Sequence, residues 1–549
     1  MPVKPRAVAT GAQQLPGRLD KARHPHKGGS DAQRVVVATV AGAEKEDVRT
    51  GLLSKLVAIC CSRRRMTTTA ALVAAITTLG VMTGPAVAEW SAPAAVATGS
   101  TSRGPEACDV TTLSDGTTLA TWFSGSPGAP KPFESTDRGL VAELPPGQGS
   151  RWSSPRVIWR HHNETRKEGL PRSNGTYGTC PRLVPAPGGR VTVVWAEHDW
   201  KLNVNRTVAD RLMEVRRVSR GKWGPPRHVK IRGYVSEPQR PLVTPDGHAL
   251  LALGHESTWP VYATRSPDGK WSQSRWAQKP PWLQKPHREV DFSMGLSDQG
   301  RGLLVANDPR HRSGGALLAF DIKRDGSKSR AVEVPRGRCK RLVEGPPAVA
   351  ISSGPDQRAA VAFECVKGWD STIFATSRDR DGVWAEPQEV SSGVGQALGI
   401  SFGPAGDASL AWTECDCRVF SESMNSRIVE TSLRAAGNSW SSPVAVVSAS
   451  SGKYRWQAGG DVDYRFSQWD AHGPAVAVAS EFDLASEDDR LFAVIRRADG
   501  SWEEPGYFGP FKGASYVSPR WSARNGRGAF LWADVRRQRV YASTASLRP

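Results

Sequence analysis

One short phrase recurs along this chain and constrains its fold more than any other feature. It is a tight turn, a tryptophan, a proline three residues later and then an extended apolar run. It occurs at Trp152 with Pro155, Trp223 with Pro226, Trp384 with Pro387, Trp440 with Pro443 and Trp502 with Pro505. Trp271 follows Asp268 and Gly269 but lacks the proline, and a copy at residues 326–335 has lost the tryptophan. The Gly, Asp and Asn residues before the tryptophan suit hairpin turns. A second phrase precedes each copy: an apolar strand, often ending in Trp, with an acid two residues on. Trp195 with Glu197, Trp412 with Glu414 and Trp532 with Asp534 show it clearly. Weaker copies end at Asp308, Glu364, Glu256 and Glu481, and Ser124 replaces the acid after Trp122. Turns such as Asp115-Gly116, Gly188-Gly189 and Asp246-Gly247 precede these strands, and helical signatures are nearly absent.

Each unit therefore reads as four short strands, A to D, joined by tight turns. Regular short strands in repeated units predict an all-β chain, and radial repetition predicts a β-propeller. The A–B–C core occurs eight times, and the C–D tryptophan turn seven times, because the last unit runs out at Pro549. Residues 90–96 carry the same phrase, Trp90 with Pro93, and supply the missing D strand. Eight four-stranded blades closed by an N-terminal strand is the expectation, with seven the alternative. Closure leaves no open sheet edge.

The 549 residues carry a net charge of +19. Residues 1–65 hold 13 basic and 5 acidic side chains and residues 66–88 hold neither, which leaves +11 over residues 89–549. The charges there interleave. No basic stripe or nucleic-acid module stands out, so nucleic acid is not an expected partner. Residues 62–88 read as a signal peptide: Arg63, Arg64 and Arg65 precede a short uncharged apolar stretch, and Ala86 and Ala88 form a small-x-small cleavage site. Residues 1–61 read as an unstructured extension, with a start at or near Met66 the alternative. Residues 89–549 then form one propeller domain. No other long apolar run occurs, so no membrane span is expected.

Six cysteines follow the cleavage site: Cys108, Cys180, Cys339, Cys365, Cys415 and Cys417. An even count in an exported chain predicts disulfides. The strand order favours Cys108–Cys180 and Cys339–Cys365, and leaves Cys415 and Cys417 bridged or free, with Cys365–Cys415 an alternative. No His-rich cluster accompanies them, so no metal is expected, and no cofactor motif is present.

A repeated tryptophan most simply packs between neighbouring sheets. Trp200, Trp259 and Trp369 break the repeat and are the aromatic ligand candidates. Arg211, Arg427, Arg490 and Arg539 stand where a hairpin brings them near Glu197, Glu414, Glu481 and Asp534, so cross-strand ion pairs account for the repeated acids. Arg182, Arg240 and Arg520 each begin an A strand and can converge at one mouth of the channel, with Arg288 a fourth; guanidinium groups bind carboxylate or phosphate bidentately. His198, His255 and His311 fall in loops at that mouth and receive no catalytic role.

The turns Ser266 to Trp271 and Asp379 to Trp384 resemble shortened Asp-box turns of sialidase-type, BNR-repeat propellers. The resemblance spans nearly all of residues 89–549 at repeat level. It implies a propeller and an extracellular carbohydrate ligand. For an enzyme of that family it implies an arginine trio, a Tyr–Glu nucleophile pair and an acid/base Asp. No copy has the full Ser-x-Asp-x-Gly-x-x-Trp spacing, and no Arg-Ile-Pro motif opens the propeller. The expected function is a secreted, monomeric, non-catalytic propeller that binds a glycan or protein at the channel mouth. The alternative is a sialidase-like glycoside hydrolase acting on an acidic sugar. Secreted protein should begin at or near Glu89; N-terminal sequencing that found residues 1–60 still attached would refute the export reading.

Overall fold

The computed structural model describes residues 90–546 apart from 99–102, 128–133, 165–174, 202–205, 232–237, 256–257, 274, 277–289, 309–313, 344, 353–356, 368–369, 392–393, 404–405, 416–425, 434–438, 449–453, 457–474, 484–487, 497–501, 503–505, 513–519, 525 and 535–536. The expected extension and signal peptide lie outside the described residues. Those residues form eight antiparallel sheets in chain order, seven of four strands and one of six, and no helix.

Sheet one holds Arg103–Thr112, Thr118–Pro127, Glu134–Leu144 and Arg156–Glu164. Sheet two begins with Gly175–Gly178 and Arg182–Ala186, both paired to Arg190–Lys201, then adds Arg206–Ser219 and the short Lys222–Trp223 and Arg227–Val229. Sheets three to seven repeat the plan, their first strands being Leu242–Val243, Asp291–Leu296, Ala348–Ile351, Val394–Phe402 and Tyr454–Trp456. Sheet eight holds Arg520–Arg524, Arg527–Asp534 and Arg539–Ser546. Its fourth strand is Ala94–Thr98, antiparallel to Arg539–Ser546, with Trp90 bridged to Ala545. The first and last of the described strands thus share one sheet, as the matching phrase at residues 90–96 predicts.

Among the described residues, sheets one to five each have two apolar faces and cover each with a neighbour. Leu119, Val141 and Ile158 of sheet one pack on Leu183, Val193 and Trp195 of sheet two. Phe363 and Phe374 of sheet five pack on Leu303 and Leu317 of sheet four. Ala107, Val110 and Trp122 of sheet one meet Ala529, Leu531 and Val540 of sheet eight. The second-strand tryptophans Trp122, Trp195, Trp412 and Trp532 are fully buried, and a tryptophan so placed removes on the order of 150–250 Å² from water. The turn tryptophans Trp223, Trp271, Trp384 and Trp440 pack partly buried at the edges of the inter-sheet cores.

Three turn tryptophans also donate a hydrogen bond that the sequence phrase hides. The Trp223 indole N–H donates to Glu143 on the third strand of the preceding sheet (3.1 Å). Trp271 repeats this with Glu214 (2.8 Å) and Trp502 with Glu430 (2.6 Å). An arginine six residues before the tryptophan completes the clamp. Arg217 donates to both Glu143 oxygens (3.3 and 2.8 Å), and Arg378 to both Asp321 oxygens (2.9 and 2.7 Å) while stacking on Trp384. In the Glu214 copy, Arg216 takes the carboxylate (2.7 Å). Arg265 lies over Trp271 and donates to Thr192, and burial pulls its guanidinium down to about 10 against the raising effect of Glu214. Glycine is required where turns touch: Gly247 has φ +88°, and a Cβ there would stand 2.8 Å from Pro187 of the neighbouring sheet.

The Glu143–Arg217 pair is almost wholly buried, with side chains 7 % and 2 % exposed. Removing one partner of such a pair strands the other, at a cost of about 3–5 kcal/mol. Glu143→Ala should therefore lower the unfolding free energy by about that amount in urea titration. Asp268→Ala, which breaks the exposed pair with Lys270, should leave the midpoint unmoved. Equal effects from the two substitutions would contradict the clamp.

Candidate functional site

The Trp clamps occupy the end of the sheets where the A–B and C–D turns lie. At the opposite end the first strands begin and the second strands finish, and two polar clusters gather there.

The first is a knot over the strand Arg103–Thr112. Asp109 is 1 % exposed. Its carboxylate accepts from the backbone N–H of Val110 (2.9 Å) and of Leu183 in sheet two (2.8 Å), and pairs with Arg240 Nε at the entry to sheet three (3.2 Å). Arg240 also donates to the Val110 carbonyl (3.2 Å). Arg182, buried, donates to the Cys108 carbonyl and to the Pro238 carbonyl (3.2 Å). The disulfide Cys108–Cys180 ties the strand Arg103–Thr112 to the short link just before Arg182–Ala186, with Cα atoms 5.3 Å apart. Three consecutive sheets are thus laced at one point. The bridge spans 72 residues, and such loops contribute about 3–5 kcal/mol through the unfolded state. The second disulfide, Cys339–Cys365, joins the loop entering sheet five to that sheet's second strand. Cys415 ends a strand, and its side chain and Cys417 lie outside the described residues.

The second cluster lies between sheets one and two. His161 Nε2, on the fourth strand of sheet one, stands 3.3 Å from Glu197 Oε1, on the second strand of sheet two. The Trp195 indole N–H donates to the same oxygen (3.2 Å). His161 lies against Trp159, with ring centroids 5.1 Å apart, and Trp159 packs beside Phe123. The Trp159 ring fits because Gly178 has no side chain: a Cβ there would stand 2.8 Å from it. Burial alone would raise the Glu197 carboxyl. The hydrogen bond from Trp195, the His161 imidazole beside the carboxylate and the charge of Arg211 outweigh burial and hold it below its ordinary 4.5. His198, the next residue, is buried within the strand Arg190–Lys201 and is not in a loop as expected, because that strand runs past the repeat's acid.

Of the predicted arginines, Arg182 and Arg240 come together on residues 108–110. Arg520 begins the first strand of sheet eight, is 9 % exposed, and that strand packs beside Arg103–Thr112. Arg288 and Trp369 lie outside the described residues, as do His311 and the side chains of Trp200, Trp259 and His255. The repeated acids stand opposite the expected arginines in register: Glu197 with Arg211, Glu414 with Arg427, Glu481 with Arg490 and Asp534 with Arg539. Arg211 acts on Glu197 through its charge. Glu197 also meets His161 of the preceding sheet, and Asp534 pairs with Arg537 (3.6 Å) in the turn just after its strand. Sequence reasoning passed over Asp109 and His161. Nothing local marks either one, since each acts across sheets. Among the described residues no three His, Cys, Asp or Glu side chains are grouped to hold a metal ion.

No protein-family model matches the chain, and no curated protein matches it. Among solved structures the chain is similar to an ulvan lyase of a polysaccharide lyase family, at 9 % identity and TM-score 0.40, over 81 % of this chain and 95 % of that one. It is similar to a Penicillium chrysogenum α-L-arabinanase complexed with arabinobiose, at 13 % identity and TM-score 0.32, over 56 % and 92 %. It is also similar to NanB bound to optactamide, at 11 % identity and TM-score 0.26, over 86 % and 71 %. At identities and TM-scores this low, the activities of those proteins belong to those proteins alone.

A carboxylate held below its ordinary value stabilises the fold above that value, and the contribution is lost as pH falls through the folded value. Glu197→Gln should therefore lower the thermal midpoint at about pH 7, and the gap to wild type should narrow as pH drops below 4.5. A gap that stays constant down to about pH 3 would mean that Glu197 is not held ionised by its neighbours.

Proposed function

We propose that this chain is an exported protein folded as a closed eight-bladed β-propeller, and that it recognises an acidic carbohydrate at the end where the first strands begin. The knot of Asp109, Arg182 and Arg240 carries this reading. Arg240 is fixed through Nε to Asp109 and through an Nη to the Val110 carbonyl, yet its side chain is 22 % exposed at the rim. A guanidinium whose plane is set in advance loses little freedom when it takes up a carboxylate or sulfate. Export is supported by the two disulfides, which persist in oxidising compartments, and by the signal-like residues 62–88. No helix among the described residues is long and apolar enough to cross a membrane. The eight sheets, with the last packed on the first, support the blade count and a monomer. The sialidase-type turns favour a sugar over a protein as ligand.

A second reading, hydrolysis of a glycosidic bond in that carbohydrate, is favoured by the Glu197–His161 contact. A carboxylate kept ionised beside an imidazole is equipped to stabilise positive charge or to move a proton. A retaining or inverting mechanism pairs such a group with a second carboxyl about 5–9.5 Å away.

A glycan array probed with residues 89–549 should retain acidic over neutral sugars. Arg240→Ala should weaken the acidic signal about tenfold to a hundredfold, the range of a charge-assisted hydrogen bond lost at a partly buried site. Indifference to sugar charge would overturn the first reading. Release of reducing ends by wild type but not by Glu197→Gln would establish hydrolysis, and absence of turnover on every retained glycan would rule it out.

A further inference from the structure

The segment at residues 336–341 carries Arg336, Arg338, Lys340 and Arg341, four cations in six residues, and the functional reading above makes no use of it. It enters sheet five from the outer strand of sheet four, at the same end as the polar clusters. Two side chains anchor it. Cys339 and Leu342 are 5 % and 2 % exposed and pack in the core between sheets four and five. Cys339 is bonded to Cys365, and Leu342 bridges to Cys365 in strand fashion. The backbone is held on both flanks. Leu342 N–H donates to the Gly314 carbonyl of sheet four (2.9 Å), and Val366 N–H donates to the Arg341 carbonyl (2.8 Å). Cys339 N–H closes a turn on the Arg336 carbonyl (3.0 Å).

Around these anchors, Arg338, Lys340 and Arg341 are exposed. Among the described residues no ion pair engages these three, whereas Arg336 has a partner and the Glu386 carboxylate lies beside Gly337. Surface cations of this sequence density usually sit on a loop that must be ordered when a ligand arrives. Here a disulfide and backbone hydrogen bonds on both flanks have already ordered it, so the entropic cost of using the cations is small.

We infer that residues 336–341 form a preordered docking site for a polyanionic polysaccharide, carried by Arg338, Lys340 and Arg341 and separate from the Arg182–Arg240 knot. Repeated carboxylate or sulfate groups along such a polymer match three cations on one short rigid segment. Neutralising them releases condensed counterions, which supplies the driving force and makes binding fall with salt. A polysaccharide fits better than a nucleic acid for two reasons. The segment has no aromatic side chain on which a base can stack. Its anchoring disulfide belongs to an oxidising compartment.

The test uses the mature chain on immobilised dextran sulfate, with neutral dextran as control. Wild type should be retained on the sulfated matrix only. The triple variant R338S/K340S/R341S should elute at clearly lower salt, with the slope of log affinity against log salt reduced by about two to three. The substituted side chains are exposed, so its thermal midpoint should match wild type, and that measurement excludes misfolding. Lys222→Ser, which removes an exposed cation of sheet two outside both sites, should elute with wild type, which separates this segment from surface charge in general. Wild type that passes through, or a triple variant retained like wild type, overturns the inference. Equal retention on single-stranded DNA, lost in the same variant, would assign the segment to polyanions at large and overturn its assignment to polysaccharide.

Discussion

A four-stranded sheet with two apolar faces is unstable in water until both faces are covered, and among the described residues other such sheets cover them. Every other feature follows from that constraint. The second-strand tryptophans at 0–2 % exposure fill the space between sheets, and the sequence of eight sheets ends by packing on its own beginning. Hydrophobic burial is strong but non-directional, so it fixes that sheets stack and not how they align. Alignment comes from the polar clamps at the turn end. An acid on the third strand of one sheet receives the indole N–H of the next in the Glu143, Glu214 and Glu430 copies, and an arginine of that next sheet in the Glu143 and Asp321 copies. Their geometry is directional, and their burial makes a misaligned sheet costly.

This division leaves the two ends of the molecule with different freedoms. The turn end is committed to alignment, with tight glycine turns in contact and carboxylates engaged in the clamps. The opposite end carries the longer connections, where function on a rigid scaffold usually resides. Both disulfides are at that end. Cys108–Cys180 holds together the first strands that also carry Asp109 and Arg182, and Cys339–Cys365 holds the basic segment at residues 336–341. Covalent bridges thus stand where connections are long and the repeat's own clamps are absent.

Charge follows the same partition. The net +11 of residues 89–549 looks diffuse when read along the chain. In the fold, many of the arginines are consumed by clamps and by carbonyls: Arg217 by Glu143 and the Gly189 carbonyl, Arg378 by Asp321, Arg182 by two backbone carbonyls. What is left to face solvent is a smaller set, and residues 338–341 stand out within it because their backbone is fixed.

The strand order, the turn glycines, the N-terminal strand that completes the last sheet and the two cysteine pairs were all legible in the sequence. Each depends on local pattern or on a repeat whose copies confirm one another: short apolar runs, Asp-Gly turns, and a tryptophan phrase that recurs at 90–96. The clamps were written there too, as an arginine six residues before Trp223, Trp271 and Trp384, but spacing alone does not say that the acid partner lies one unit upstream. The knot on Asp109 and the contact of His161 with Glu197 had no local signature. Asp109 gathers Leu183 and Arg240 from two other sheets, and His161 reaches Glu197 from a different sheet. A repeat specifies the contacts that every unit makes with its neighbour, because those contacts recur. The contacts made by one unit alone depend on side chains distant in sequence arriving at one point, and only the packed sheets determine where that point is.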